Sequence, residues 1–440
     1  MEKQSFLQKF TGTITFKFIL IGIISLILLI PASWVKHLIL ERQSRSREVF
    51  NEISSVWGGN QSIKGPVLTI PFKTYYKNTE GKVFEEIKKA HFLPEKLSLQ
   101  GDLSPEIRYR SIFKIVVYNA NAEINGVFKH PDFSELGIDD KNVLWDKAFF
   151  TLGITDMKGI KKEVSVNWND NNLKVFPGSK SPEIISSGFH TKINDLNTGE
   201  EEFRFNIRLD LNGTGTFLVY PTGKNTEVAL KSTWSDPGFT GSFLPYEREI
   251  SEDGFSAKWK ITHLNRNFPQ QWTGKEFSVS GSDFGVELIN PVDHYQQSFR
   301  SVKYAMMFIC MTFLIFLLIE ILQRKKMHPV QYVLTGIALI VFYSLLVSLS
   351  EHFGFKTAYL ISSMSVIGLI SYYIQANFHK VKLTVLTTTS LIALYMFLYI
   401  ILRMQDYALL FGSIGIFVVL TMFMVLTRRV NWYKEEETSS

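Results

Sequence analysis

The sequence predicts a membrane protein with six transmembrane α-helices, one N-terminal and five C-terminal, and a large β-rich extracytoplasmic domain inserted between helices 1 and 2. Three observations predict it. Long apolar runs occur only at the two ends of the 440-residue chain. The stretch 36–300 between them is polar, and its apolar residues alternate with period two. The charge is also unevenly divided. Residues 36–300 carry 33 basic and 34 acidic side chains, while the ends carry 14 and 7, so the net charge of +6 belongs to the apolar parts. A soluble nucleic-acid binder is excluded, because its basic surplus would lie on a polar domain. A disordered chain is excluded by the 46% apolar content.

The first run covers residues 14–35 and is uncharged from Phe18 to Trp34. A bilayer core of about 30 Å needs roughly 20 such residues as a helix. Lys3, Lys9 and Lys17 precede the run. It is longer than a signal-peptide core and no A-x-A site follows, so it reads as an uncleaved signal anchor. Leu40, Val49, Phe50, Ile53, Val56 and Trp57 then recur at roughly helical spacing, which predicts an amphipathic continuation. Five further runs follow at 302–322, 331–350, 355–375, 383–402 and 407–427. They are too long and too uniformly apolar for strands of a membrane barrel. Basic residues fix the orientation. Arg324, Lys325, Lys326, Lys380, Lys382, Arg428, Arg429 and Lys434 fall on one side, against Lys356 and Arg403 on the other. Residues 1–13 and the tail 428–440 are therefore expected in the cytoplasm, 36–300 outside it, and 301–427 as a five-helix bundle. Lys17, Lys303, Glu320 and Arg403 stand near the ends of their runs, where side chains snorkel. Ser362, Ser363 and Ser365 are expected to hydrogen-bond between helices.

Within 36–300, Phe203, Phe205, Ile207, Leu209 and Leu211 alternate with Arg204, Asn206, Arg208 and Asp210. Phe255, Ala257, Trp259 and Ile261 repeat the pattern. Asn78–Gly81 reads as a hairpin turn. Pro66 and Pro71 bracket a short apolar run, which suits an edge strand. A domain boundary near 165–200 is an open alternative.

Catalytic signatures are missing. The sequence has no H-E-x-x-H, G-x-S-x-G, Walker A or G-x-G-x-x-G. Its nine histidines are dispersed, and the single Cys310 permits neither an intrachain disulfide nor a cysteine metal site. The expectation is a non-enzyme without cofactor or metal.

Several stretches together resemble one family. They are Trp57-Gly58-Gly59-Asn60-Gln61, Gly65–Pro71, Arg108-Tyr109-Arg110, Trp234–Pro245 and Leu264–Gln270. The tail adds Phe284-Gly285-Val286, Pro291–Tyr295, Val302–Ala305, His328–Tyr332 and Ser348–His352. In this order they are similar to the CreD family of bacterial inner-membrane proteins, over nearly the whole chain. The resemblance implies an inner-membrane location and a large periplasmic domain. It also implies a link to a carbon-source-responsive two-component system, to envelope integrity, and to tolerance of colicins and β-lactams. It carries over no catalytic residue.

The candidate residues follow from position and motif. Asp293, Tyr295 and Arg300 stand just before the second run and are candidates for coupling the periplasmic domain to the helices. Trp57, Gln61, Arg266, Gln270, His328, Glu351 and His352 are motif residues and candidates for a shared surface. Gly65, Pro66, Pro71, Pro237 and Gly241 read as turn and strand-edge residues, and Trp57, Trp234 and Trp272 as core. The expected partners are membrane lipids, with envelope proteins or cell-wall components, and no nucleic acid. The expected role is non-enzymatic, in envelope integrity or stress response. The alternative is a transporter or exporter of a lipid or amphipathic compound.

Overall fold

The computed structural model describes residues 14–79, 81–194, 196, 200–288, 294–323, 327–404 and 407–428. Asp293, the triplet 324–326 and the expected cytoplasmic segments 1–13 and 429–440 lie outside them. The chain forms two compact units, one of Met1–Arg47 with Val292–Ser440 and one of Glu48–Pro291. The second is shorter than the expected 36–300, because residues 36–47 and 294–300 are helical and group with the apolar helices.

Helix α1 spans Ile14–Trp57, so the apolar run and its amphipathic continuation form one element. Its 44 residues rise about 66 Å. Helices α2 (His294–Lys303) and α3 (Ala305–Gln323) meet at a bend of 51°. Helix α4 runs from Pro329 to Phe378, α5 from Val381 to Arg403, and α6 from Ala408 to Thr427. Gly354 interrupts α4 with φ 75° and ψ 163°, outside the helical region.

Among the described residues, three helices are long and apolar enough to cross a bilayer, or four if the bent pair is one span. That differs from the expected six. Two expected spans, 331–350 and 355–375, lie within the one α4, and the described apolar part of α6 is shorter, Leu410–Val425.

Aromatic packing centres the helical unit. Phe308, Phe342, Tyr359 and Tyr395 stack edge to face, with centroids 4.7 Å apart for Phe308–Tyr395 and 4.9 Å for Phe342–Tyr395. The Tyr359 hydroxyl donates to the Tyr395 carbonyl at 2.6 Å. The serine cluster behaves differently from expectation. Ser363 and Ser365 donate to the carbonyls of Leu360 and Ile361 in their own helix, and the buried Ser362 meets no partner among the described residues. Helical hydroxyls close to a preceding turn bond back to it more readily than across.

The Glu48–Pro291 unit is a β-sandwich. One sheet has nine strands and follows the order Pro237–Gly241, Phe284–Leu288, Thr216–Val219, Gln61–Lys77, Phe149–Ile154, Gly188–Lys192, Val175–Pro177. Val83–Phe92 also pairs with Gln61–Lys77 and carries Gln271–Thr273. The other sheet has eight strands in the order Glu247–Ser251, Gly254–Thr262, Asn225–Ser232, Lys96–Arg110, Phe113–Lys129, Glu202–Thr214, Ser165–Trp168, Asn171–Asn172. The alternation read at 203–211 is the inside–outside pleat: Phe203, Phe205, Ile207, Leu209 and Leu211 are all buried. Ring pairs such as Tyr118–Phe217, Phe150–Trp168 and Trp259–Phe284 join the sheets through one core. Strands on both sides of 165–200 belong to these same two sheets, so no boundary falls there.

Gln61–Lys77 is an interior strand with three neighbours, not the edge strand that its prolines suggest. Pro66 falls in the register shift between Lys64 and Val67, and Pro71 lies past the last pair with Phe149–Ile154, at Thr69. Neither position withdraws a donor from that ladder.

Candidate functional site

The outward face of the eight-stranded sheet holds a groove of about 1180 Å³. Its strands bury every second residue, among them Leu97, Ile124, Phe205, Val228 and Trp259, so the residues between must face away from the core. Those residues are amides and charges. Asn125, Asn167, Asn206 and Asn225 line the groove with Lys96, Glu202, Arg204, Glu227 and Lys260. Asn206 donates to Glu123 at 2.7 Å and Asn125 at 2.6 Å, while its shielded side-chain oxygen meets no donor among the described residues. Asn169 bonds Glu200 and receives the backbone N–H of Arg204 at 2.8 Å. Such a surface offers many oriented donors and acceptors, which suits a polyhydroxylated or peptidic ligand. The period-two pattern marked this face as polar, but the sequence has no signal for its depth.

The motif residues of the β unit do not converge on that groove; they staple the fold. Gln61 is buried, donates to the carbonyls of Asp156 and Asn212 at 3.0 and 2.8 Å, and accepts from the Asp156 N–H. Arg266 is buried and donates to the carbonyls of Phe268 and Pro269 and to Gln270. Gln270 passes the network on to the carbonyls of Leu93 and Pro94. With no carboxylate at hand, burial pulls the Arg266 guanidinium down to about 10, still cationic at neutral pH. Trp57 is half-buried rather than core. The Arg108 guanidinium lies 4.4 Å and the Lys161 amine 5.3 Å from its ring. Trp272 is buried and Trp234 packs on the core edge.

In the helical unit His328 is exposed and caps α4: its Nδ1 accepts from the Val330 N–H, and Gln331 accepts from the His328 N–H. His352 is exposed. Glu351 and Tyr295 do come together. The Tyr295 hydroxyl donates to Glu351 at 2.9 Å, and Arg42 of α1 stands 3.8 Å from the same carboxylate. Arg300 is not part of that contact. Asp293 lies outside the described residues.

One buried cluster was missed. Glu320 is 6% exposed and does not snorkel. It is paired with Lys17 of α1, accepts from the Tyr332 hydroxyl at 2.9 Å and from the Met327 N–H at 2.8 Å. Lys17 is only 14% exposed at its side chain, so it does not snorkel either, whereas Lys303 and Arg403 are exposed. The pair joins residues far apart in sequence, so position in a run could not reveal it. Among the described residues no three His, Cys, Asp or Glu side chains converge in a way that could hold a metal ion.

An N-terminal apolar helix, a large β-sandwich and a set of C-terminal apolar helices define a membrane-anchored protein with an inserted β domain. The sequence profile described as Inner membrane protein CreD matches residues 13–433. The chain is also 33% identical over 419 residues to the Inner membrane protein CreD of Escherichia coli (strain K12), covering 93% of this chain and 91% of that protein. The chain belongs to the CreD family.

Proposed function

We propose that this inner-membrane protein acts non-enzymatically in envelope integrity or stress response, by binding a cell-wall component with its β-sandwich. In this reading the helices cross the membrane six times, both termini are cytoplasmic and the sandwich is periplasmic. The observation that carries it is the amide-lined groove of about 1180 Å³. Asn206 lines that groove, and its side-chain oxygen has no donor among the described residues. The eight basic loop residues on one side support the orientation.

The test is cosedimentation of the purified full chain with isolated cell-wall sacculi. The wild type is expected in the pellet. Asn206→Leu, which removes one of the groove's amides without touching the core, is expected to weaken binding about tenfold. Equal pelleting of both proteins, or none by either, overturns the groove assignment. Photocrosslinking from Arg204 that captures lipid alone would instead favour the lipid-moving alternative.

A further inference from the structure

Helices α1 and α2 line an open cavity of about 350 Å³, bounded by Leu40, Gln43, Gln296, Phe299 and Arg300. We propose that it seats an anionic phospholipid, with the phosphate at the Arg300 guanidinium and an acyl chain leaving over Leu40 and Phe299. This goes beyond the groove reading and does not depend on it.

The charge argument comes first. The Nε and Nη1 groups of Arg300 are shielded from solvent and meet no hydrogen-bond acceptor among the described residues. Donors shielded in this way are costly unless an acceptor meets them. The Glu351 carboxylate, which Tyr295 of Arg300's own helix reaches, is engaged by Tyr295 and Arg42 and not by Arg300. A second cation is close, since the Lys36 amine lies 5.4 Å from the centre of the Phe299 ring. A planar guanidinium with free N–H groups matches two phosphate oxygens at once, and a neighbouring amine adds attraction for net negative charge.

The apolar side of the ligand is argued from Leu40 and Phe299. Leu40 is 41% exposed, and with Phe299 it gives the basic site a greasy wall. A free inorganic anion would gain nothing from that wall, whereas an acyl chain would. Depth agrees. Leu40 stands five residues beyond Val35, the end of the apolar run, a rise of about 7 Å. The polar headgroup layer on each face of a bilayer has about that thickness.

The experiment is native mass spectrometry of the full chain in detergent, with phosphatidylglycerol, diacylglycerol or inorganic phosphate added. Phosphatidylglycerol is expected to stay bound and diacylglycerol, which lacks the phosphate, is not. Arg300→Gln is expected to lower retained phosphatidylglycerol about tenfold. Leu40→Trp, which narrows the cavity and keeps the guanidinium, is expected to do the same, and it decides the matter if Arg300→Gln does not fold. Retention equal to wild type in the folded variants overturns the proposal. So does displacement of the lipid by an equal concentration of inorganic phosphate, because the site would then be one for the free anion.

Discussion

His91 is fully buried between Thr69, whose hydroxyl lies 3.0 Å from Nδ1, and the ring of Trp272. Burial pulls its imidazole down to about 4 from the ordinary 6.5, with Glu183 opposing and Lys89 assisting. The unfolded chain therefore takes up the proton first. The contribution of neutral His91 to stability is complete above about pH 6.5 and is lost as pH falls toward 4, at most about 3 kcal/mol. His91→Leu is expected to flatten that acid slope in thermal unfolding followed by tryptophan fluorescence; an unchanged slope places the acid sensitivity elsewhere. Arg266 is a second buried residue with a defined cost. Arg266→Ala strips the donor from two carbonyls and from Gln270, and a loss of about 3 kcal/mol is expected in the same assay. Glu320 is the third. Glu320→Ala leaves Lys17 in a shielded place without its partner, at a cost of about 3–5 kcal/mol. Lys17→Met added to Glu320→Ala should recover much of the loss, and a double variant no more stable than the single one would refute the pairing.

Among the elements, α4 is the most conditional. Its 50 residues rise about 75 Å if straight, far more than a bilayer core, and Gly354 divides them. The φ of 75° with ψ of 163° is a conformation that side chains with a Cβ rarely adopt. Gly354→Ala is expected to cost about 1–3 kcal/mol, read as a lower midpoint in thermal unfolding of the detergent-solubilised protein. No atom lies within 4 Å of a Cβ placed there, so the loss would come from backbone alone. Gly336 in the first half of α4 is different: a Cβ there would collide with the Leu28 side chain of α1. The absence of a side chain is what lets these two helices approach, as small residues commonly do in membranes.

For the whole molecule the decisive quantity is orientation across the membrane. The only cysteine is Cys310, so a Cys310→Ser chain is a clean background for labelling. Tyr246 lies exposed in the β unit and Lys380 exposed between α4 and α5. Tyr246→Cys should react with an impermeant maleimide in cells whose outer membrane alone is permeable. Lys380→Cys should react only after the inner membrane is opened. The reverse result would invert the proposed topology.

Much of this protein was legible in order. Hydropathy marks α1 and the C-terminal helices because a bilayer imposes length and composition on whatever crosses it. Period two marks the 203–211 strand because one face of a pleat must be buried. The family resemblance rested on short motifs, and they lie where the fold needs them: Gln61, Arg266 and Gln270 as hydrogen-bonded staples, His328 as a helix cap. What pattern could not supply was convergence. Lys17 and Glu320 are 303 residues apart, and Gln61 and Asn212 are 151 apart. The amide groove is assembled from six separate strands. The prolines at 66 and 71 misled for the same reason, since a bulge and the end of a neighbouring ladder are properties of pairing. The sequence by itself determined which segments are apolar, which alternate and where the charge lies, because these are local consequences of solvent. Only the tertiary structure decided which buried polar groups meet, because that depends on chain segments whose separation in sequence carries no information about their distance in space.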